Sequence, residues 1–523
     1  MLHPLPEAVR RQAFERPDHP AVRTGGGALL SYGDLWRDSV RLCHALKARG
    51  VDRGHRVAIV MDNVAECAVA LFGVWLADAV AVPLNAQIKP DKLEWVLRDA
   101  EVTALISERH LSPAYGPATE AIGLPTVIAT GTPGDDPKEA EAYADVLKGA
   151  PTDPREGRAI PADLAVILYT SGTTGTPKGV MHTHHSLGFA RDSVVEYLGL
   201  RSDDRLLCAL PLSFGYGLFQ LLPATAVGAT VLLERNFTYP AEIFSRMREL
   251  EATTFAGVPT VFAMMLAHDE KTPLRFPTVR LVTNAAAPLP EEFIEGIGRI
   301  FPSAELVKMY GQTECIRACY LPGQMAATHP GSVGKAIPGT ELLLLNESGQ
   351  EVGPHETGVL HVRGANVMQG YWKDPDRTSR TLVPGPVPGE RMLRTGDQFQ
   401  RDEDGLLYFV SRSDDIIKSR GEKVSPTEVE NAIYRLPEVE QSLVLGIPDA
   451  VLGQAVCALV TVKADCTLHP NQVKLVCRQH LEGYMVPKHV VFVEELPRNE
   501  RGKLSRKLAE EVFADQLVAL QAN

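Results

Sequence analysis

Long apolar runs are missing from this chain of 523 residues. The longest ones, Cys67 to Ala77 and Leu221 to Leu233, are clearly shorter than the roughly 18–20 residues that a membrane-spanning helix needs. The first twenty residues carry charges where a signal peptide would have its apolar core. We therefore expect neither a membrane span nor a secretory leader, and the predicted location is the cytoplasm.

Positive charge and paired cysteines are also scarce. Lys+Arg 53 against Asp+Glu 65 gives a formal net charge of −12 at pH 7, so nucleic acid and anionic membranes are not expected partners of the surface as a whole. The eight cysteines show no C-x-x-C spacing, which supports neither a disulfide framework nor a zinc site. The composition, with 45% hydrophobic and 23% charged residues, is typical of a globular protein, and the length predicts several packing units.

Short apolar segments alternate with helical patterns over the first three quarters of the chain. Examples are HRVAIVM at 55–61, DLAVILYT at 163–170 and TVLLER at 230–235. Continuous apolar runs of this length are typical of buried parallel strands, and the helical stretches between them predict α/β layers. The polar region 131–157, rich in Pro and Gly, is interpreted as a connection between two sheets.

The pattern of predicted strands and helices changes in the last third of the chain. From about Gly339 closely spaced strands and turns predict a small antiparallel, β-barrel-like unit. After Arg412 the alternation resumes, and Ser425 to Glu428 predict a capped helix start. The expected fold is α/β. A large N-terminal domain over 1–412 holds two βα-layered sheets and the barrel-like unit, followed by a hinge at 413–415 and a small α+β domain over 416–523.

The most informative segment, TSGTTGTPKG at 170–179, directly follows a predicted buried strand. Its glycines let backbone amides converge, its hydroxyls add donors and its lysine adds a point charge, which together suit a phosphate. It is not a Walker loop, because that motif has Gly-Lys before Ser or Thr, whereas Lys178 lies between Pro177 and Gly179. A Gly/Thr turn without a ligand is the alternative interpretation.

Four further motifs follow in order: YGQTE at 310–314, RTGD at 394–397, SRSDDIIKSRGEKVSPTEVE at 411–430 and PRNERGKLSRKL at 497–508. With these five motifs the chain resembles the adenylate-forming superfamily of acyl-CoA synthetases, carrier-protein-loading adenylation enzymes and luciferases. LSYGDL at 30–35 and AVPLN at 81–85 are compatible with that family. Asp78 departs from it, because the family usually has glycine there.

The resemblance implies an ATP-dependent carboxylate–CoA ligase. Such an enzyme joins a carboxylic acid to AMP with release of pyrophosphate, and then passes the acyl group to the CoA thiol with release of AMP. The implied cofactors and co-substrates are ATP, Mg²⁺ and CoA. Charge builds up on the α-phosphate in the first step, so fixed cations and Mg²⁺ must neutralise it.

The resemblance also implies the nucleotide site. Tyr310 is expected to stack on adenine, Asp397 to accept from the ribose hydroxyls, and Glu314 to bind Mg²⁺ together with Thr174. Without the motifs, a lone Glu, Asp or Arg near a turn would be read as a cap or a surface charge. The implied ATP- and AMP-binding set is Thr170, Ser171, Gly172, Thr173, Thr174, Gly175, Lys178, Ala286, Ala287, Tyr310, Gly311, Asp397 and Arg412.

Lys503 is implied as a catalytic residue, with Thr313 and Glu314. On its own the segment around it would be a solvated loop, but in the family this lysine reaches from the small domain to the substrate carboxylate and the α-phosphate. The small domain is implied to be mobile and to rotate about Asp414 after adenylation. The residues that this rotation would bring to the thioester step are Lys418, Arg420, Gly421 and Glu422.

The segment PLSFGYGL at 211–218 is interpreted as a wall of the acyl pocket. Two aromatic rings and two glycines suit a flat ring, and the pattern resembles benzoate-type CoA ligases, with core packing of the rings as the alternative. Amino-acid substrates are disfavoured, because relatives that activate them have an aspartate where Gly215 stands. The expected pocket residues are Phe214, Gly215, Tyr216, Asn284, Ala285 and Cys315.

Three functions stay open on the sequence. TECIRACYLPGQ at 313–324 resembles stand-alone enzymes that load carrier proteins, so an adenylating enzyme that serves a carrier protein or an amine is the alternative to an aryl-, medium- or long-chain acyl-CoA ligase. A non-catalytic nucleotide-binding relative is disfavoured, because the key cationic and acidic residues are all present. Expected partners are the acid, ATP and CoA, with an acyl carrier protein as the other acceptor and a homodimer as the candidate assembly.

Overall fold

Strands and helices alternate along most of the chain, as the apolar periodicity predicts. The computed structural model describes residues 3–131, 140–154, 157–170, 177–412, 415, 417–419, 422–449, 452–481, 483–499 and 502–521. Its strands are β1 (Pro20–Thr24), β2 (Leu29–Ser31), β3 (Arg56–Val60), β4 (Val80–Leu84), β5 (Val102–Glu108), β6 (Thr126–Thr130), β7 (Glu141–Ala142), β8 (Leu164–Thr170), β9 (Lys178–Thr183), β10 (Arg205–Cys208), β11 (Thr230–Leu233), β12 (Thr254–Gly257), β13 (Leu281–Asn284), β14 (Glu305–Tyr310), β15 (Cys319–Leu321), β16 (Ser332–Ala336), β17 (Glu341–Leu345), β18 (Gly358–Arg363), β19 (Gly370–Tyr371), β20 (Leu382–Pro384), β21 (Arg391–Arg401), β22 (Leu407–Arg412), β23 (Ile417–Ser419), β24 (Glu422–Val424), β25 (Val439–Asp449), β26 (Gly453–Val462) and β27 (His489–Phe492).

Helices lie between most of these strands. They are α1 (Pro6–Glu15), α2 (Tyr32–Ala48), α3 (Ala65–Leu76), α4 (Pro90–Asp99), α5 (Ser112–Ile122), α6 (Tyr143–Lys148), α7 (His184–Leu198), α8 (Gly215–Val227), α9 (Pro240–Glu249), α10 (Pro259–Lys271), α11 (Phe293–Ile300), α12 (Pro375–Thr381), α13 (Pro426–Ile433), α14 (Pro470–His480), α15 (Arg506–Val512) and α16 (Ala514–Gln521). Two short 3₁₀ helices cover Arg109–Leu111 and Gly323–Met325. No helix among the described residues is both long enough and apolar enough to cross a membrane.

The large sheet has fourteen strands among the described residues, in the order β17-β18-β21-β22-β16-β15-β14-β13-β12-β10-β11-β1-β2, with β20 beside β21. From β1 through β11, β10, β12 and β13 to β14 the pairing is parallel. From β14 onward through β15, β16 and β22 it is antiparallel. The predicted barrel-like unit is therefore continuous with the large sheet and joined to it through β16.

The second sheet has the order β19-β9-β8-β4-β3-β5-β6-β7. Strands β4 and β8 run parallel, and β8 then turns back into β9 as an antiparallel hairpin. The phosphate-loop segment lies between these two strands. The sheet thus holds both ends of that loop at fixed positions.

Helices α2, α3, α7 and α8 fill the space between the two sheets, since one continuous apolar cluster takes residues from these helices and from strands of both sheets. Helix α3, AECAVALFGVWL, is apolar on every side and is accordingly buried almost throughout. It approaches α2 closely at Gly73, where a Cβ would lie 2.8 Å from Leu42 Cδ2. Trp75 Nε1 donates to the Ala165 carbonyl oxygen at 2.7 Å, which anchors the helix to β8.

The C-terminal part forms a third sheet, in the order β24-β23-β26-β25 with β27 beside β26. As predicted, Ser425 caps α13 by accepting from the Glu428 N–H at 3.3 Å. The Ser425 hydroxyl also donates to the Val410 carbonyl oxygen of β22, which ties the third sheet to the large one. The predicted hinge residue Asp414 lies outside the described residues, and the domain limits at 412 and 416 stay predictions.

The structure shows why an aspartate can stand at position 78, where the family usually has glycine. It has a left-handed φ of 58°, a conformation in which glycine is usual and in which aspartate is one of the better tolerated alternatives. Its buried carboxylate oxygen Oδ1 accepts from the Arg158 N–H at 2.8 Å and from the Ala159 N–H at 2.9 Å. The side chain therefore anchors the end of the polar region that connects to β8.

We expect Asp78→Ala to lower the free energy of unfolding by about 3 kcal/mol, because two backbone donors lose their acceptor and alanine must keep the left-handed backbone. Asp78→Gly loses the same hydrogen bonds but accepts that backbone, so it should be less destabilising by about 1 kcal/mol. Urea denaturation followed by tryptophan fluorescence measures both. Exposed Asp18, changed to Ala, is the control, and equal losses for the Ala and Gly variants of Asp78 would contradict the backbone argument.

Candidate active site

The hairpin of β8 and β9 presents both ends of the phosphate-loop segment. Thr170, the last residue of β8, faces Lys178, the first residue of β9, in the strand register. Gly179 is required by close packing, since a Cβ there would lie 2.7 Å from Ile167 Cγ2 and 3.1 Å from Trp372 Cβ. Of the predicted loop residues, those outside the described part of the chain are Ser171, Gly172, Thr173, Thr174 and Gly175.

Lys178 contacts two side chains that come from distant parts of the sequence. Its Nζ donates to Glu314 Oε1 at 2.7 Å and to the Tyr371 hydroxyl at 3.2 Å. The Tyr371 hydroxyl in turn donates to Glu314 Oε1 at 2.7 Å, and the ammonium lies 4.8 Å from the centre of the Tyr371 ring. These three residues form a closed triangle, which we call the Lys178 cluster. Tyr371 was not predicted, since no motif marks it.

The charges in this cluster are set by burial and by each other. Burial alone would raise the pKa of Glu314, but the Lys178 ammonium and the hydrogen bonds from Lys178 and Tyr371 outweigh it and hold the pKa below the ordinary glutamate value. Burial and the Glu314 charge raise the pKa of Tyr371, so its hydroxyl stays protonated and donates. Glu314 is therefore an ionised carboxylate at neutral pH although it is only 7% exposed.

The backbone around Glu314 is held from two sides. Its carbonyl oxygen accepts from the Met368 N–H at 2.8 Å. The carbonyl oxygen of the preceding residue, Thr313, lies 2.7 Å from His182 Nε2, which therefore carries the proton in this contact. Burial lowers the pKa of His182 to about 4, so this imidazole is neutral at physiological pH. His182, missed at the sequence level, fixes the place of the two predicted catalytic residues 313 and 314.

Asp397 is oriented by the same short segment that carries Glu314. Its Oδ2 accepts from the Tyr310 hydroxyl at 2.6 Å and from Gln312 Nε2 at 2.8 Å. Gln312 Nε2 also donates to the Thr395 carbonyl oxygen at 3.0 Å. The Tyr310 ring packs edge-on against Phe399, with ring centres 4.9 Å apart. Burial and the Asp397 charge raise the pKa of Tyr310 far above its ordinary value, so this phenol acts as a donor to the carboxylate.

Asn284 is the last residue of β13, and residues 285–287 follow this strand. Asn284 is 2% exposed, and its Nδ2 has no hydrogen-bond partner among the described residues. Ala285 is buried, and Ala286 takes a left-handed φ of 77°, which is rare for alanine. An unsatisfied buried amide and a strained backbone are both features of ligand sites.

The N-terminus of helix α8 carries part of the predicted acyl pocket. Phe214 precedes the helix, and Gly217 is required because a Cβ there would lie 2.1 Å from the Pro211 carbonyl oxygen. Tyr216 is 8% exposed, and its hydroxyl lies 2.8 Å from Thr283 Oγ1, next to Asn284. The helix start and the end of β13 are thus brought together.

Cys315, predicted to line the acyl pocket, is fully buried in an apolar cluster under the antiparallel strands. It presents no accessible surface to a ligand in this structure. Tyr216 and Thr283 thus join the start of α8 to the end of β13, while Cys315 packs in the core and its place in the acyl pocket stays a prediction.

The predicted residues of the C-terminal part are described only in part. Lys503 is half-buried in a turn in which its N–H donates to Asn499 Oδ1 at 3.1 Å and its carbonyl oxygen accepts from the Asn499 N–H at 2.8 Å. Lys418 and Glu422 belong to the hairpin of β23 and β24, but their side chains are outside the described part of the structure. The same holds for the side chain of Arg412 and for all of Arg420 and Gly421.

The donor set around Glu314 suits Mg²⁺, which prefers hard oxygen ligands from one or two carboxylates. The carboxylate is buried and ionised, and its charge is neutralised by the Lys178 ammonium. A second acidic group of Asp62, Glu108 and His110 also lies close enough for a metal. Arg235 already pairs with Asp62 at 2.8 Å and with Glu108 at 3.2 Å. Among the described residues, no hydrogen bond or ion pair joins this group to a predicted site residue.

We expect Lys178→Met to destabilise the protein by about 2–4 kcal/mol at neutral pH, because the buried Glu314 carboxylate loses its cation. The double variant with Glu314→Gln should recover at least half of that loss. Urea unfolding of both variants without ligands measures the difference.

The loss of stability in Lys178→Met should depend on pH. In the wild type the folded pKa of Glu314 lies below the unfolded value, so its stabilising contribution is complete above the ordinary carboxyl range and is lost as the pH falls through the folded pKa. In Lys178→Met the hydrogen bond from Tyr371 remains, but the largest effect that opposes burial is lost and the pKa rises. The loss of stability should therefore be largest near pH 7.5 and shrink towards pH 5. A loss that does not change with pH would contradict this account.

Comparisons with known proteins agree with the geometry. The family of AMP-binding enzymes matches residues 9–372, and the C-terminal domain of AMP-binding enzymes matches residues 428–503. The chain is 31% identical over 500 residues to the 3-hydroxybenzoate–CoA ligase of Aromatoleum sp. (strain CIB), which covers 94% of this chain and 92% of that protein. It is 29% identical to a long-chain-fatty-acid–CoA ligase of Bacillus subtilis (strain 168), with 97% and 94% covered.

Solved structures give the same result. A benzoate CoA ligase from Burkholderia xenovorans LB400 matches with a TM-score of 0.87 and 27% identity, covering 97% of this chain and all of that one. The expected resemblance is thereby confirmed over nearly the whole length. The chain belongs to the family of AMP-binding enzymes, and it is an adenylate-forming ligase of the acyl- and aryl-CoA ligase type.

Proposed function

We propose that this enzyme activates an aromatic carboxylic acid with ATP, as its acyl-adenylate, and then transfers the acyl group to CoA. One observation carries the proposal. The segment 310–314 contributes to two clusters at once: Tyr310 and Gln312 orient Asp397, while Glu314 pairs with Lys178. The end of β14 thus orients a carboxylate suited to ribose through Tyr310 and Gln312. A few residues later it supplies Glu314 to a charge pair suited to phosphates.

Lys178 and Glu314 would exchange partners when a nucleotide binds. The ammonium would turn from the carboxylate to phosphate oxygens, and Glu314 would receive a metal cation in its place. Because each charge leaves one opposite charge and gains another, the exchange avoids leaving either group buried and unpaired. Mg²⁺, held by Glu314 with Thr174 as the second proposed ligand, would neutralise phosphate charge.

Asp397 is the proposed ribose acceptor. A carboxylate can accept about four hydrogen bonds, so the donors from Tyr310 and Gln312 orient the group without exhausting its capacity. The Tyr310 ring, held by Phe399, is the proposed stacking surface for adenine. Because both residues are positioned before any nucleotide arrives, little reorganisation is needed on binding.

The acyl group is proposed to lie at the start of α8. Phe214, Gly215 and Tyr216 supply rings and space there, and a flat aromatic acid fits such a slot better than a flexible chain. The similar ligases named for 3-hydroxybenzoate and benzoate support this choice. A fatty acid and a carrier-protein acceptor are the alternatives that the experiment below separates. The cytoplasmic location stays a prediction.

Lys503 is the proposed catalytic cation of the first step. The two hydrogen bonds between its backbone and Asn499 hold the turn that presents it. Its role would be to bring the substrate carboxylate and the α-phosphate together and to neutralise them. A rotation about Asp414 would then withdraw it and bring Lys418, Arg420, Gly421 and Glu422 to the thiol.

We expect Lys503→Ala to lower the rate of acyl-adenylate formation by about 10²–10³, because one preorganised cation is lost. Thioester formation from supplied acyl-adenylate and CoA should be largely retained, since the lysine is proposed to act only in the first step. Pyrophosphate release and thioester yield measure the two half-reactions separately. Lys507, exposed and four residues further on, gives the matched Lys→Ala control, and equal loss in both half-reactions would refute the role.

The whole proposal is tested by pyrophosphate release across benzoate, 3-hydroxybenzoate, cinnamate, hexanoate and palmitate, each with and without CoA. We expect the aromatic acids to be favoured and AMP production to require CoA, with consumption of the free thiol. Indifference to CoA together with acylation of a carrier protein would select the alternative acceptor. No release with any acid would refute the proposed function.

A further inference from the structure

Arg317 is the only arginine among the buried residues of the described chain, with 5% of its surface exposed. Its guanidinium carbon lies 4.9 Å from the ring centre of Tyr216 and 5.9 Å from that of Phe219. Both rings belong to α8, the helix whose start forms the proposed acyl pocket. No role in the proposed reaction has been given to this cation so far.

The hydrogen bonds of Arg317 leave part of its guanidinium unused. An arginine has five N–H donors in a planar fork. Nη1 donates to the Ile316 carbonyl oxygen at 2.8 Å. The guanidinium charge also lowers the pKa of the Tyr197 hydroxyl, against the larger effect of burial, which raises it. Nε is buried and has no hydrogen-bond partner among the described residues, so this donor lacks an acceptor.

Arg317 also has no counter-ion. Among the residues that the structure describes, no carboxylate forms an ion pair with it, in contrast to Arg280, which pairs with the buried Asp204, and Arg506, which pairs with Glu430 at 2.6 Å. Aromatic rings compensate only part of the cost of burying a cation. An arginine kept in this position without an acid is typical of a site whose anion arrives with a ligand.

The backbone places this cation between the nucleotide segment and the acyl segment. Gly311, in the nucleotide segment, permits a close approach, since a Cβ there would lie 2.8 Å from Arg317 Cα. On the acyl side, the neighbouring Ile316 side chain comes within 3.7 Å of the position that a Cβ of Gly215 would take. Ile316 has a φ of 59°, which is rare for a β-branched residue. This strained turn directs residue 317 towards the rings of α8.

We propose that Arg317 binds a second carboxylate on the acid, beside the rings of Tyr216 and Phe219 in the acyl pocket. The inference rests on the proposed function, because it assigns the reacting carboxylate to the nucleotide side of Gly311. A carboxylate would supply the acceptor that Nε lacks, and the contacts with Tyr216 and Phe219 hold the plane of the guanidinium. The preferred substrates are then dicarboxylic acids that carry one carboxylate at each end.

Matched pairs of acids test this directly. Pyrophosphate release is measured with benzoate against terephthalate and with hexanoate against adipate, so that the second carboxylate is varied on both a flat ring and a flexible chain. The wild type is expected to prefer the diacid in at least one pair. Arg317→Met should lower the ratio of kcat/KM for that diacid over its monoacid on the order of 10²-fold, and Arg317→Lys about tenfold, because lysine keeps the charge but not the fork.

Arg23 is exposed, and its change to Met is the matched control, which should leave the ratio unchanged. A wild type that releases pyrophosphate but prefers the monoacid in both pairs overturns the inference while the proposed function stands. Equal losses for both acids in Arg317→Met also overturn it, because the residue is then structural. If that variant does not fold, an unchanged ratio in Arg317→Lys overturns the inference and a tenfold drop supports it.

Discussion

The pairing of Lys178 with Glu314 is the interaction on which the site depends, because its two members come from different sheets. Lys178 begins β9 of the second sheet, whereas Glu314 follows β14 of the large sheet. Their contact, closed by Tyr371, joins the two sheets at the site. A nucleotide that takes over these charges would replace the contact with its own phosphates.

Several other buried charges have partners within the chain. Asp397 is surrounded by the donors of Tyr310 and Gln312, and Arg506 joins Glu430 and Asp415 at the base of α15. Each of these groups is compensated within the chain, since an unpaired ion in a protein interior costs several kcal/mol. Arg317 forms no ion pair with a carboxylate among the described residues, and this is why we propose a partner from outside the chain.

Much of the fold and the core of the site could be predicted from local patterns. Continuous apolar runs indicated the parallel strands, and ordered motifs indicated Lys178, Glu314, Tyr310 and Asp397. The roles of Tyr371, His182 and Gln312 could not be predicted in this way, because they come from contacts with residues far away in the chain. Cys315, which the sequence analysis predicted to line the acyl pocket, packs into the apolar core in this structure.

The sequence by itself determined the family, the α/β layering and the residue types that are proposed to meet the nucleotide, because these depend on short motifs and on apolar periodicity. Only the tertiary structure decided which charges neutralise each other and which stay uncompensated. Asp78 shows the difference: the missing glycine is visible in the sequence, but its left-handed φ and its bonds to residues 158 and 159 are not. Electrostatic energies depend on distance and burial, and both are properties of the folded chain.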